Sequence, residues 1–165
     1  MPRAIRFNDR TNLTSGIARL GQRMQRQGTV AEQAHDGDTL IVSAVGDIGV
    51  RLLGIDTPEI SFLFPGTTEF VGIEDQRWKS FLSAPFDKKW PQFSKPLPKG
   101  LQQVLKARLH DDASENHHRH ARAAEMALER EITADLKVMQ KTIETFQMFM
   151  VFGYEIMDGY GRFLC

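Results

Sequence analysis

The chain has 165 residues, 41% of them hydrophobic and 25% charged, enough for one domain with a true core and ordinary for a globular protein. Its 21 Lys and Arg balance 21 Asp and Glu, which excludes a binder working by bulk positive charge alone. The single cysteine, Cys165, excludes an internal disulfide framework, and no apolar run reaches the roughly 18 residues of a membrane span.

The N-terminus is basic but lacks the apolar centre of a signal peptide. The expectation is therefore no membrane partner, with a cytoplasmic location as written or an exported one if this is a mature form. Residues 1 to 30 carry Arg3, Arg6, Arg10, Arg19, Arg23 and Arg26 against the one acid Asp9. Such a flank suits the phosphates of a nucleic acid or another acidic surface, and equally a solvated arm. Within it, Thr14-Ser15 as an N-cap, Ile17, Leu20 and Met24 at helical spacing, and Gly28 as a stop predict a short helix.

The next stretch turns strand-like. Asp36-Gly37 is a turn dipeptide, Leu40-Ile41-Val42 is apolar and β-branched, and Gly46-Asp47 with Gly49 marks a second reversal. A further strand is expected over Val50 to Ile55, stopped by Thr57-Pro58. The same residues set Asp38 and Asp56 at the ends of neighbouring strands, with Glu59 just beyond and Arg51 between. Carboxylates gathered in this way repel unless something positive sits among them, and a hard divalent cation held by oxygen ligands is the simplest answer. An arginine beside them suits a phosphate oxygen.

From Ser61 to Asp112 the chain is rich in Phe, Pro and Lys. Ile73, Arg77-Trp78 and Phe81-Leu82 suggest one helix, and Leu101, Val104-Leu105 and Leu109 another. A structureless loop of this length is unusual, so a small subdomain or lid is expected. Its aromatic residues Phe62, Phe64, Phe70, Trp78, Trp90 and Phe93 either stack on bases or form the segment's own core. Ser114 opens the longest helical pattern, which runs through Ala121, Leu128, Ile132 and Leu136 to Ile143. His117 and His120 share a face near its start, a pattern that fits a solvated helix end better than a metal site. Phe146 to Ile156 alternates as a strand, Asp158 to Gly161 turns, and Arg162 to Cys165 starts one more strand.

Three blocks, Asp36-Gly37-Asp38-Thr39, Arg51 to Glu59, and Asp158-Gly159-Tyr160-Gly161-Arg162, stand in an order that resembles the staphylococcal nuclease (thermonuclease) family. The resemblance implies an α+β fold on a small five-stranded barrel of the oligonucleotide-binding type, here incomplete at its C-terminal strand and carrying extra helices. Beyond the basic arm and short helix expected over 1–28, it implies a nuclease domain over 29–165, with an insertion at 61–112. It implies that Asp38, Asp56 and the Thr57 carbonyl hold Ca2+, that Glu59 is the general base or positions the water, and that Arg51 and Arg162 grip the phosphate. Tyr160 then lies near the substrate. The implied activity is calcium-dependent hydrolysis of DNA or RNA leaving 3′-phosphate ends. A non-catalytic nucleic-acid or protein-binding module, or a fragment, is the alternative. A barrel short of one strand exposes an edge, so pairing with a second copy is a further expectation.

Overall fold

The computed structural model of the chain describes residues 5–21, 29–44, 46–91 and 97–165. Its elements make it an α+β protein that divides into two compact units, Met1–Thr57 with Ala123–Cys165, and Pro58–Arg122. No helix among the described residues is long and apolar enough to cross a membrane.

The first unit is built on a curled, half-barrel sheet of seven strands. β1 (Ile5–Asn8) and β2 (Leu13–Leu20) form an antiparallel hairpin. Its turn places Asn12 at φ 54, a left-handed conformation that asparagine tolerates better than most residues. The helix expected from Thr14 is therefore corrected to a strand over 13–20, while Met24 and Gly28 lie outside the described residues. Gly16, Ala18 and Leu20 are buried, whereas Ile17 and Arg19 face outward. The inward-facing Gly16 and Ala18 are too small to register as an apolar stripe, so the exposed Ile17 imitated a helical period. Backbone pairing to strands on both sides of β2 decides the conformation. The expected N-terminal arm is likewise, over residues 5–20, an integral hairpin of the sheet.

A single helical turn, α1 (Val30–Gln33), follows. The Glu32 carboxylate accepts the Thr29 backbone N–H at 2.9 Å and so secures its start. β3 (Ala34–Asp36), β4 (Thr39–Ser43) and β5 (Asp47–Arg51) then run antiparallel in turn, β4 pairing with β3, β2 and β5. β5 ends at Arg51 rather than continuing to Ile55, because the chain reverses at Gly54, whose φ of 82 only glycine adopts freely.

The long helix α4 (Ala113–Val138) stops five residues before Ile143. Gln140 there takes φ 53, and the Lys141 N–H reaches back to the Leu136 carbonyl at 2.9 Å, a left-handed helix ending. β8 (Gln147–Val151) pairs with β2, and β9 (Phe163–Leu164) lies parallel to β5. The core between sheet and helix comprises Ala18, Leu20, Leu40, Val42, Val50, Ile132, Leu136, Phe146, Met150 and Phe152.

The second unit has its own core. A hairpin of β6 (Ser61–Leu63) and β7 (Phe70–Gly72), helices α2 (Gln76–Ser83) and α3 (Lys99–Arg108), and the first turns of α4 compose it. Its strands are too short to show alternation, so the sequence does not announce them. Phe64, Val71, Ile73, Trp78 and Phe81 are buried together, with Phe62 and Trp90 packed against them. Their rings meet edge-to-face at centroid distances such as 5.0 Å for Phe64 and Trp78. The Trp78 indole N–H bonds the Val71 carbonyl, and the buried Ser114 hydroxyl bonds that of Ile73. Of the aromatic residues weighed as base-stacking platforms, most are thus core, Phe70 is exposed, and Phe93 lies outside the described residues.

Candidate active site

The first unit brings Asp38, Arg51, Asp56, Thr57 and Arg162 into one hydrogen-bonded cluster. Asp38 sits in the turn between β3 and β4, its carboxylate almost wholly buried at 1% exposure. One oxygen accepts the Thr39 hydroxyl at 3.0 Å. The other meets Arg51 Nη2 at 2.9 Å and the Thr57 backbone N–H at 3.3 Å. Arg51 Nη2 also holds Asp56 at 2.8 Å, although the Asp56 side chain is 91% exposed. Arg51, the register partner of Thr39, stands at the end of β5. In this geometry a guanidinium is the positive group between the two carboxylates.

Arg162 reaches the cluster through Thr39, donating from Nη1 to its hydroxyl oxygen at 3.0 Å. Its approach is fixed by the turn before it. The Asp158 carboxylate accepts the backbone N–H groups of Tyr160 and Arg162, both at 2.9 Å, and the Arg162 Nε–H at 2.7 Å. Gly161 at φ 81 lets the chain double back. Burial draws the Asp158 carboxyl upward, but the hydrogen bonds from the Arg162 backbone, the Arg162 side chain and the Tyr160 backbone outweigh it and hold its pKa below the ordinary 3.8. β9 then locks the segment against β5, with the Cys165 N–H bonded to the Arg51 carbonyl at 3.0 Å.

Two glycines make room. A Cβ on Gly37 would stand 2.5 Å from the Ala124 Cβ and 2.8 Å from the Thr57 Cγ2, so the carboxylate turn packs closely on α4. A Cβ on Gly49 would stand 3.6 Å from Cγ of Arg162, which thus lies across the outer surface of β5.

Tyr160 is 79% exposed, with the Arg162 guanidinium 5.4 Å from its ring centre. Glu59 belongs to the second unit, where its backbone carbonyl meets His117 Nε2 at 2.9 Å. His110, His117 and His120 line a 500 Å³ depression there with Arg108 and Asp112. Among the described residues no three His, Cys, Asp or Glu side chains form a ready metal cage.

The chemistry of the donor set nonetheless suits a hard cation. Both oxygens of Asp36 and the Thr57 hydroxyl are buried without a hydrogen-bond partner among the described residues, and an unpartnered buried carboxylate is costly. Asp36 is the register partner of Thr39, so its unpartnered oxygens lie next to the turn that carries Asp38. Thr39 and Asp158, which stand in two of the sequence blocks without an expected role, are the further members of the cluster. Thr39 joins the two arginine arms, and Asp158 aims one of them. The Asp-Gly-x-Gly spacing of the turn signals the second, and nothing local signals the first. Comparison of the chain with protein-family models, curated proteins and solved structures finds no match.

Proposed function

We propose that the chain is a calcium-dependent nuclease of the staphylococcal type, hydrolysing phosphodiester bonds of DNA or RNA and leaving 3′-phosphate ends. The observation that carries this reading is the continuous link Arg162–Thr39–Asp38–Arg51–Asp56, which joins two guanidinium groups and two carboxylates where β4 begins and β5 ends.

Asp38, Asp56 and the Thr57 carbonyl are the residues that would hold calcium, with water completing the six to eight oxygens it takes. Bound there, the ion supplies a Lewis acid for a phosphate oxygen and an acidified water. Arg51 and Arg162 bind the non-bridging oxygens, and their hold tightens as negative charge builds on phosphorus. A general base must take the proton of the attacking water as its oxygen bonds to phosphorus, a role that the family resemblance assigns to Glu59. The bond from phosphorus to the 5′ oxygen breaks, that oxygen gains a proton from solvent, and the phosphate stays on the 3′ side.

A second reading, a non-catalytic nucleic-acid-binding module on this scaffold, has one observation in its favour. Arg51 is already paired with both carboxylates, so the cluster is internally compensated. Steady-state cleavage of single-stranded DNA in calcium separates the two. On the enzyme reading, Arg51→Ala and Arg162→Ala each lower kcat by about a hundredfold or more with little change in KM. Glu59→Gln lowers kcat as well. Cleavage undiminished in all three variants rules the assignment out.

A further inference from the structure

The outward face of the sheet holds a shallow groove of 780 Å³ whose charged lining residues, among the described residues, are Arg6 and Arg19. Neither arginine has an ion-pair partner among the described residues. Between them, Phe149 of β8 stands directly opposite Ile17 of β2. Phe149 is 72% exposed and Ile17 51%, so a ring and a branched aliphatic chain lie open on a sheet surface. Arg6 is the register partner of Ser15, four residues from Arg19 along β2. The two guanidinium groups are therefore anchored about 13 Å apart at the usual strand rise, with the aromatic platform between them.

This groove shares a face with the candidate site. Arg19 pairs with Ser43 of β4, and side chains two apart in a strand project alike, so Ser43, Ile41 and Thr39 lie on the sheet face that carries Arg19, with Thr39 itself buried there. Thr39 is the residue that Arg162 bonds. The groove thus begins about 13 Å from the cluster, measured along β4. A polyanion matches its charge, and a chain with exposed π-faces matches Phe149. A base-paired duplex hides those faces, whereas a single strand presents them.

We propose that the outer face of β2 and β8 is a track for single-stranded nucleic acid, with Phe149 stacking on a base and Arg6 and Arg19 holding flanking phosphates. The inference deepens the nuclease reading, since it supplies the substrate class for the same site, but its test does not depend on turnover. Fluorescence anisotropy of labelled oligothymidylate is measured in EDTA over a series of salt concentrations, with wild type, Phe149→Ala, Phe149→Trp and the double variant Arg6→Ala/Arg19→Ala. The track predicts that Phe149→Ala weakens binding by about tenfold or more and that Phe149→Trp restores it. It predicts that the double variant flattens the slope of log affinity against log salt by about 0.7 for each arginine removed. Equal affinity and equal slope across the variants, or no binding by wild type, overturns the track. So does light scattering that shows a dimer dispersed by Phe149→Ala while oligonucleotide binding is unchanged. Wild type that binds through the track yet cuts nothing in calcium upholds this proposal and defeats the nuclease reading instead.

Discussion

Arg162 shows how far the placing of a flexible side chain depends on what holds it. A free arginine side chain gives up about 2 kcal/mol of rotamer entropy when fixed. Here Asp158 takes up that ordering within the turn through three hydrogen bonds, and Thr39 receives the far end of the fork. The Asp158 carboxyl is held below its ordinary value, so the stability it contributes is present above pH 3.8 and is lost as pH falls through the lowered value. Asp158→Asn is therefore expected to flatten the acid limb of stability below about pH 4, measured as urea midpoints against pH, and to leave the midpoint at alkaline pH little more sensitive to pH than in wild type. The same variant loosens Arg162, so on the nuclease reading turnover is expected to fall with it. A variant with an unchanged acid limb would mean that the turn does not depend on the ionised carboxylate.

Among the elements, the β3–β4 turn and α4 are matched through a glycine. Gly37→Ala forces a methyl group against Ala124 and Thr57 and is expected to cost about 1–3 kcal/mol, as overpacking usually does. Gly49→Ala meets only ordinary contact distances and should shift stability by less than about 1 kcal/mol. Denaturant titration of the two variants checks the contrast, and equal costs would contradict the packing described for the turn. The sites of these turns are legible in the sequence because Gly, Asp and Pro state their backbone geometry locally. β4, α2, α3 and most of α4 are legible for a similar reason, as their apolar residues recur at strand or helix spacing. β2 is not, because its inward side is Gly16 and Ala18, and only pairing with β4 and β8 reveals it as a strand. The hairpin of β6 and β7 escapes for want of length. In the cluster, the charged residues announce themselves by type, but Thr39 as the bridge between them is a product of the strand pairing of β4 with β5 and of β5 with β9.

At the scale of the whole molecule, two separately packed cores distribute different duties. The sheet unit carries the acid and arginine cluster, and the second unit invests its aromatic residues in its own interior. Both tryptophans of the chain, Trp78 and Trp90, belong to that second core, so intrinsic tryptophan fluorescence reports on it selectively. Phe81→Ala is expected to cost the unit about 3–5 kcal/mol, as a buried aromatic deletion does, and to move the fluorescence-detected denaturation midpoint downward. An unmoved midpoint would mean that Phe81 does not pack as described.

The cluster's role turns on chemistry that wild-type protein either performs or does not. The most direct measurement is incubation of the purified chain with end-labelled single-stranded DNA in calcium and in EDTA, followed by analysis of the product ends. Cleavage in calcium alone, with 3′-phosphate and 5′-hydroxyl termini, is the predicted result. Intact DNA under both conditions, or products bearing 5′-phosphate, would contradict a nuclease built on Asp38, Asp56, Arg51 and Arg162.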